Sequence, residues 1–227
     1  METTRKTAIL LGATGLVGGT LLQLLLEDDR YSRVVLFSRR PVGFKHPKLQ
    51  EEVCNILELH NEKQHFKADE VYCCVGTTNA KTPDKAQYRK VDYGIPVTTA
   101  TLCVDNKVPI LLVVSALGAA ASSSIFYNRV KGEMEDEVLS MGVPKTHIVQ
   151  PSMIGGDRKE KRPTEFFFKK LMSAFSFILL GPLKKYRVIH PKEIAKAMVW
   201  LANNTSNKQR IESEELKTLA QYEHTRN

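Results

Sequence analysis

The chain is poor in the features that announce a metal site, a disulfide framework or a membrane span. Its four cysteines, Cys54, Cys73, Cys74 and Cys103, include no C-x-x-C pair. Neighbours such as Cys73 and Cys74 point to opposite faces of a strand, so the set reads as reduced thiols. The six histidines lack H-x-x-x-H or other ligand spacing. His190 precedes Pro191 and a helical pattern, which makes it a structural turn. Internal repeats and low-complexity tracts are missing. Behind the cationic N-terminus the apolar run is broken at once by Gly12, Gly15, Gly18 and Gly19. No secretory h-region can form there, and a cytoplasmic protein is expected. The most apolar stretch, "FFFKKLMSAFSFILLGPL" (166–183), is interrupted by Lys169 and Lys170. Its unbroken part is shorter than the roughly 20 residues a bilayer requires. The expected role is a lid over an apolar substrate pocket, an oligomer interface, or a helix lying on a membrane surface.

What is present is an ordinary globular composition. With 227 residues, 42% apolar and 26% charged, the chain can bury the core of one domain. The net charge of +8 is spread along the sequence. Its densest run, Arg158, Lys159, Lys161 and Arg162, is interleaved with Asp157 and Glu160 and carries no aromatic residue. That pattern is a solvated loop, and no nucleic-acid partner is expected.

Short β-rich runs alternate with helix-length segments, the pattern of a parallel sheet with crossover helices. Strands are predicted at 7–11, 33–38, 70–74, 109–115 and 145–150, with a weaker one near 52–55. Helices are predicted at about 15–27, 88–105, 127–140 and 191–204, and the tail from Glu212 reads as a helix or frayed end. Met198, Trp200 and Leu201 fall on an apolar helix face and belong to the core. The apolar, non-alternating "ILLVVS" (110–115) suits a strand covered on both faces. Residues 1–150 are expected to form the nucleotide-binding core. Residues 151–227 are expected to form a small C-terminal substrate region on the same domain.

Gly12, Gly15 and Gly18 form G-x-x-G-x-x-G directly after one apolar strand and directly before a helix. There, glycine allows a tight turn and lets the backbone approach a pyrophosphate at the helix N-terminus. At the end of the next strand, where a carboxylate would bind the ribose 2′-OH of NAD, stand Ser38, Arg39 and Arg40. An arginine there matches a 2′-phosphate, so NADP(H) is favoured over NAD(H). "CCVGTTNA" (73–80) ends a further strand in a small-residue turn, with Gly76 and Thr77 as candidate cofactor contacts.

Tyr127 and Lys131 in "YNRVK" lie one helical turn apart on one face. An ammonium beside a phenol lowers its pKa, so Tyr127 is expected to serve as a proton donor to a carbonyl oxygen near neutral pH. Ser115, ending a strand at the same edge, is expected to hydrogen-bond the substrate oxygen.

The order of these motifs resembles the short-chain dehydrogenase/reductase superfamily over nearly the whole chain. It rests on "GATGLVG" (12–18), "SRR" (38–40), "VGTT" (75–78), Ser115, "YNRVK" (127–131) and "QPSMIGG" (150–156). The loop form and short C-terminal region are similar to the atypical branch. More narrowly, 75–92 and 115–138 resemble the oxidoreductases related to the human Tat-interacting protein. The resemblance implies an α/β fold with a doubly wound parallel sheet, NADP(H), and a Ser115–Tyr127–Lys131 constellation in which Lys131 also holds the nicotinamide ribose. It further implies cofactor contacts from Thr14, Leu16, Val17 and Thr78, and a loop of Pro151, Ser152 and Met153 beside the nicotinamide. One position departs from the pattern: Asp92 stands where many active relatives carry an asparagine that completes a proton relay through lysine and water, and its carboxylate can still accept a hydrogen bond from Lys131. The implied function is hydride transfer between nicotinamide and a small carbonyl or alcohol substrate. An NADP(H)-sensing protein with little turnover and a nucleotide-sugar epimerase or dehydratase are the alternatives.

Overall fold

The computed structural model describes residues 5–78, 80–155 and 187–223. The basic run at 157–162 and the apolar stretch at 166–183 lie outside the described residues.

Seven strands form one sheet: β1 (Lys6–Leu11), β2 (Tyr31–Ser38), β3 (Leu49–Val53), β4 (Glu70–Cys73), β5 (Ile110–Val114), β6 (Lys145–Gln150) and β7 (Arg210–Glu212). Their order is β3-β2-β1-β4-β5-β6-β7, and every pairing is parallel. Parallel strands need crossovers, and these cover both faces. One face packs α1 (Leu16–Glu27), α5 (Pro191–Asn203) and α6 (Ser213–Tyr222) through Leu21, Leu25, Ile194, Met198 and Leu216 onto Leu10, Leu36, Tyr72 and Leu112. The other packs α3 (Ile95–Asp105) and α4 (Phe126–Ser140) through Leu102, Met134 and Val138 onto Ile9, Leu11, Val71 and Val113. Successive residues of a strand therefore enter opposite cores, which is why β1 and β5 read as unbroken apolar runs. Cys73 and Cys74 divide in the same way between the two faces.

The weak strand expected near 52–55 is β3, three residues earlier. β7 was not expected, because its three residues, "RIE", contain one apolar side chain and no pattern. The helix expected over 88–105 is three pieces: α2 (Lys85–Arg89), a π-helical turn (Lys90–Gly94) and α3. The reason is Pro96, which has no N–H to give to the Asp92 carbonyl and whose ring crowds it. The ladder slips by one residue there, with the Ile95 N–H donating to the Lys90 carbonyl. His190 is a structural turn: its N–H donates to Glu193 Oε2 at 2.7 Å and Pro191 opens α5.

At the amino ends of the strands, Glu70 is a fully buried carboxylate whose oxygens are all engaged. It accepts from Lys6 Nζ at 2.5 Å and from the Tyr31 and Tyr72 hydroxyls at 2.7 Å each. This network ties β1, β2 and β4 together and closes that end of the sheet. At the opposite end the chain leaves β1 and β4 toward different faces. Such a switch in direction opens a crevice beyond the carboxyl ends of the two strands.

Candidate functional site

The crevice is lined first by the glycine loop. Gly12 has φ +85°, and a Cβ there would lie 2.6 Å from the Cys74 carbonyl oxygen after β4. A Cβ on Gly18 would lie 2.2 Å from the Gly12 carbonyl oxygen. Both glycines are therefore required by close backbone approach, one across the switch point and one between loop and helix. Gly15 is the N-cap of the 12-residue α1, and no side chain caps it. Thr14 and Gly15 are exposed, Leu16 is half-buried and Val17 is buried. An uncapped helix start with no acidic residue in its first turn leaves N–H groups facing the crevice. These residues fit a dinucleotide pyrophosphate.

β2 ends beside this loop. Ser38 is buried and its hydroxyl donates to the Arg40 carbonyl at 2.8 Å. Arg39 and Arg40 are exposed, and among the described residues neither guanidinium has a hydrogen bond or an ion-pair partner. Two unpaired cations at this edge can meet a 2′-phosphate.

On the other side of the switch point, Gly76, Thr77 and Thr78 follow β4. The Thr77 N–H donates to Asp92 Oδ2 at 2.7 Å, and the Thr77 hydroxyl lies 2.9 Å from that of Thr82. Thr78 turns the chain by accepting from the Lys81 and Thr82 N–H groups through its carbonyl. A Cβ on Gly76 would sit 3.4 Å from Asp92 Oδ1 and 3.6 Å from Lys131 Nζ, so this turn lies directly on the ion pair those residues make.

That ion pair, 2.8 Å between Lys131 Nζ and Asp92 Oδ1, is buried on both sides. Burial pulls the Lys131 ammonium down, Asp92 foremost and then Tyr127 push it up, and the net direction is up. Tyr127 lies one turn earlier on α4, half-buried, with its ring 6.4 Å from that of Tyr88. Burial pushes its phenol up, Lys131 pulls it down and Asp92 pushes it up again, and it ends above the ordinary tyrosine value. In the chain by itself the direction is thus opposite to the one expected from Lys131. The lysine charge is already compensated by a carboxylate whose position in space could not be read from the helix spacing.

The Ser115 hydroxyl already has a protein partner. It donates to Glu135 Oε1 at 2.5 Å, in a buried cluster where Gln150 Nε2 and Arg210 Nε also donate to Glu135. A hydroxyl has one proton, and here it is committed. A hydrogen bond from Ser115 to a substrate oxygen would have to compete with the one to Glu135. Pro151 is buried, and its carbonyl accepts from Leu117 N–H at 2.9 Å. Ser152 donates from its N–H to Ser213 Oγ at 2.6 Å and from its hydroxyl to the Arg187 carbonyl. Met153 is 42% exposed and is the one side chain of the three left open to a ligand.

Sequence reasoning missed Tyr88, Glu135 and Gly132. Tyr88 and Glu135 look like ordinary helical residues until the fold turns them inward. Gly132 is required because a Cβ would lie 2.1 Å from the Ala120 carbonyl carbon, where α4 packs on the loop after β5. Its one signal was a glycine inside a helix, next to Lys131.

The sheet order, the glycine turn at its switch point and the helix start aimed into the crevice define a nucleotide-binding doubly wound (Rossmann) protein. The profile of the NAD dependent epimerase/dehydratase family matches residues 8–212, and the chain belongs to that family, a branch of the short-chain dehydrogenase/reductase superfamily. Curated relatives include the mitochondrial protein FMP52 of Debaryomyces hansenii, 28% identical over 206 residues (87% of this chain, 88% of the relative). That of Candida albicans is 31% identical over 159 residues (68% and 69%). Among solved structures, the UDP-N-acetylglucosamine 4-epimerase of Methanobrevibacter ruminantium, in complex with UDP-N-acetylmuramic acid, superposes with TM-score 0.68 at 15% identity, covering 91% of this chain and 75% of that one. MoeE5 in complex with UDP-glucose and NAD gives 0.66 at 15% identity, covering 95% and 81%. These likenesses are of fold. The cytoplasmic expectation is overturned by the relatives, which are named as mitochondrial proteins. Unpaired cysteines suit a mitochondrial compartment as well as a cytosolic one.

Proposed function

We propose that the chain is an NADP(H)-dependent oxidoreductase acting on a small carbonyl or alcohol substrate, in a mitochondrial setting like that in its relatives' names. Residues 1–150 would supply the dinucleotide site and residues 151–227 the substrate side. Gly12, Thr14, Gly15, Leu16, Val17 and Gly18 hold the pyrophosphate, and Arg39 with Arg40 takes the 2′-phosphate. Ser38, Gly76, Thr77, Thr78, Pro151, Ser152 and Met153 border the rest of the dinucleotide, with Ser38 and Ser152 acting through backbone order since their hydroxyls are engaged. The dinucleotide supplies the hydride. Lys131 holds the nicotinamide ribose, and Tyr127 gives its hydroxyl proton to the substrate oxygen.

The observation that supports this reading is the contact of Lys131 and Asp92 with the Gly76–Thr77 turn after β4, with Tyr127 one helical turn from Lys131. Paired calorimetric titrations with NADPH and NADH, followed by a carbonyl panel read at the nicotinamide absorbance for wild type and Tyr127→Phe, test it. Preference for NADPH with turnover lost in Tyr127→Phe supports the reductase. Tight binding without turnover makes the protein a dinucleotide sensor. The second reading is a nucleotide-sugar epimerase, favoured by the family and by the UDP-sugar ligands of the structural neighbours. UDP-glucose epimerised with no net change in the dinucleotide would establish it.

A further inference from the structure

Asp92 sits inside the π-helical turn that Pro96 forces, and it is fully buried. One oxygen is pinned by the Thr77 N–H at 2.7 Å, and the other faces Lys131 Nζ at 2.8 Å. The titratable groups facing Tyr127 are Lys131 on its own helix, Asp92 on the π-helical turn and Tyr88 on α2. The Tyr88 phenol is itself pushed up, by burial first and by Asp92 next, so it adds no negative charge near neutral pH. Around Tyr127 the formal charge therefore sums to one cation and one anion.

A neutral amide at position 92 keeps one acceptor oxygen, enough to take the Thr77 N–H, and turns an NH2 group, which cannot accept, toward Lys131. It would leave the lysine charge uncompensated beside the tyrosine. Pinning the loop needs only an oxygen acceptor; neutralising the lysine needs the carboxylate. We infer that Asp92 is a positioning residue whose carboxylate neutralises Lys131 and so holds Tyr127 as a phenol, biasing the site toward giving a proton to a carbonyl oxygen. This rests on the oxidoreductase reading. In reduction the carbonyl carbon takes the hydride supplied by the reduced dinucleotide, which becomes oxidised. The carbonyl oxygen takes the Tyr127 proton, and the phenolate left behind recovers one from water. The reverse reaction needs the phenolate at the start, the form this charge arrangement disfavours.

The test is the Tyr127 ionisation itself, read in the full-length protein by NMR of 13Cζ-labelled tyrosine over a pH titration, with Tyr127→Phe identifying the signal. In Asp92→Asn the midpoint should fall by about one to three pH units, the size of a neighbouring charge's effect. In Asp92→Asn/Lys131→Gln, which removes both charges, it should return toward the wild-type midpoint. Should Asp92→Asn fail to fold, Lys131→Gln is compared with the double variant. The midpoint should then be higher in Lys131→Gln, where the carboxylate stands alone. Coincident midpoints in wild type and Asp92→Asn, or in that second pair, overturn the inference. Calorimetry of the wild type with NADPH separates the two claims: a wild type that does not bind NADPH overturns the functional reading, while the titration still decides the role of Asp92.

Discussion

Replacing Gly132 by alanine sets two effects of opposite sign against each other, and the structure decides between them. Alanine is favoured over glycine inside a helix by about 0.8–1 kcal/mol, so propensity alone predicts a more stable protein. The new Cβ, however, would lie 2.1 Å from Ala120 C, 2.2 Å from Ala121 N and 2.5 Å from Ala120 Cα. Carbon atoms in contact prefer about 3.5–4.0 Å, so the loop must retreat by more than an ångström. All three atoms are backbone, and the loop is tied to α4 by the Ala120 N–H donating to the Asn128 carbonyl at 3.0 Å. Overpacking of this kind costs about 1–3 kcal/mol, and a backbone that cannot rotate aside takes the upper end. The net loss is then about 2 kcal/mol, which for a chain of this size lowers Tm by roughly 4–8 °C. Circular dichroism melts of Gly132→Ala should show that fall. Because Lys131 is the adjacent residue, NADPH affinity should weaken in the same variant. Gly94→Ala is the control: its nearest neighbour would be Arg89 O at an ordinary 3.9 Å, and its φ is helical. A Gly132→Ala protein melting at or above wild type would show that α4 does not pack on this loop as described.

Arg39→Asp should weaken NADPH binding by about tenfold to a hundredfold, the worth of a charge-assisted hydrogen bond to phosphate, while NADH binding changes little in calorimetry. Equal losses for both dinucleotides would move the 2′-phosphate elsewhere. His147 is held low, by burial first, with its Nδ1 2.8 Å from the Lys208 carbonyl. Below about pH 6.5 the unfolded chain takes up this proton before the folded one, so stability should fall with falling pH, by at most about 1.4 kcal/mol per pH unit from this residue. Urea titrations should show a smaller acid slope for His147→Gln, and an unchanged slope would refute the assignment. Arg210→Met removes contacts at 2.8 Å to Glu135 and 2.6 Å to Asp136 that join β7 to α4. It should cost about 1–3 kcal/mol in the same assay, and no loss would mean that the other Glu135 contacts suffice.

The α/β class, six of the seven strands and the glycine turn were legible in the sequence because each is a local pattern: apolar runs, breakers, and glycines between a strand and a helix. Tyr127 and Lys131 were legible for the same reason, since one helical turn sets their relation whatever surrounds them. β7 was not, because three residues carry no period and their pairing with β6 is made by the fold. Gly132 looked like a weak point in a helix until the loop after β5 was seen against it.

Charge and hydrogen-bond direction were decided only in three dimensions. Helix spacing relates Lys131 only to Tyr127, and the family resemblance only suggests Asp92 as its partner; the fold brings Asp92 from 39 positions earlier in the chain to within 2.8 Å of it. Ser115 ends its strand where a catalytic serine would stand, yet its proton goes to Glu135, itself directed by Gln150 and Arg210. The sequence by itself determined which elements form and what ligand the loop between them can cradle, because those depend on neighbours in the chain. The tertiary structure decided which charges and hydrogen-bond partners surround Ser115, Tyr127 and Lys131, because electrostatic energy depends on distance through the protein and not on distance along the sequence.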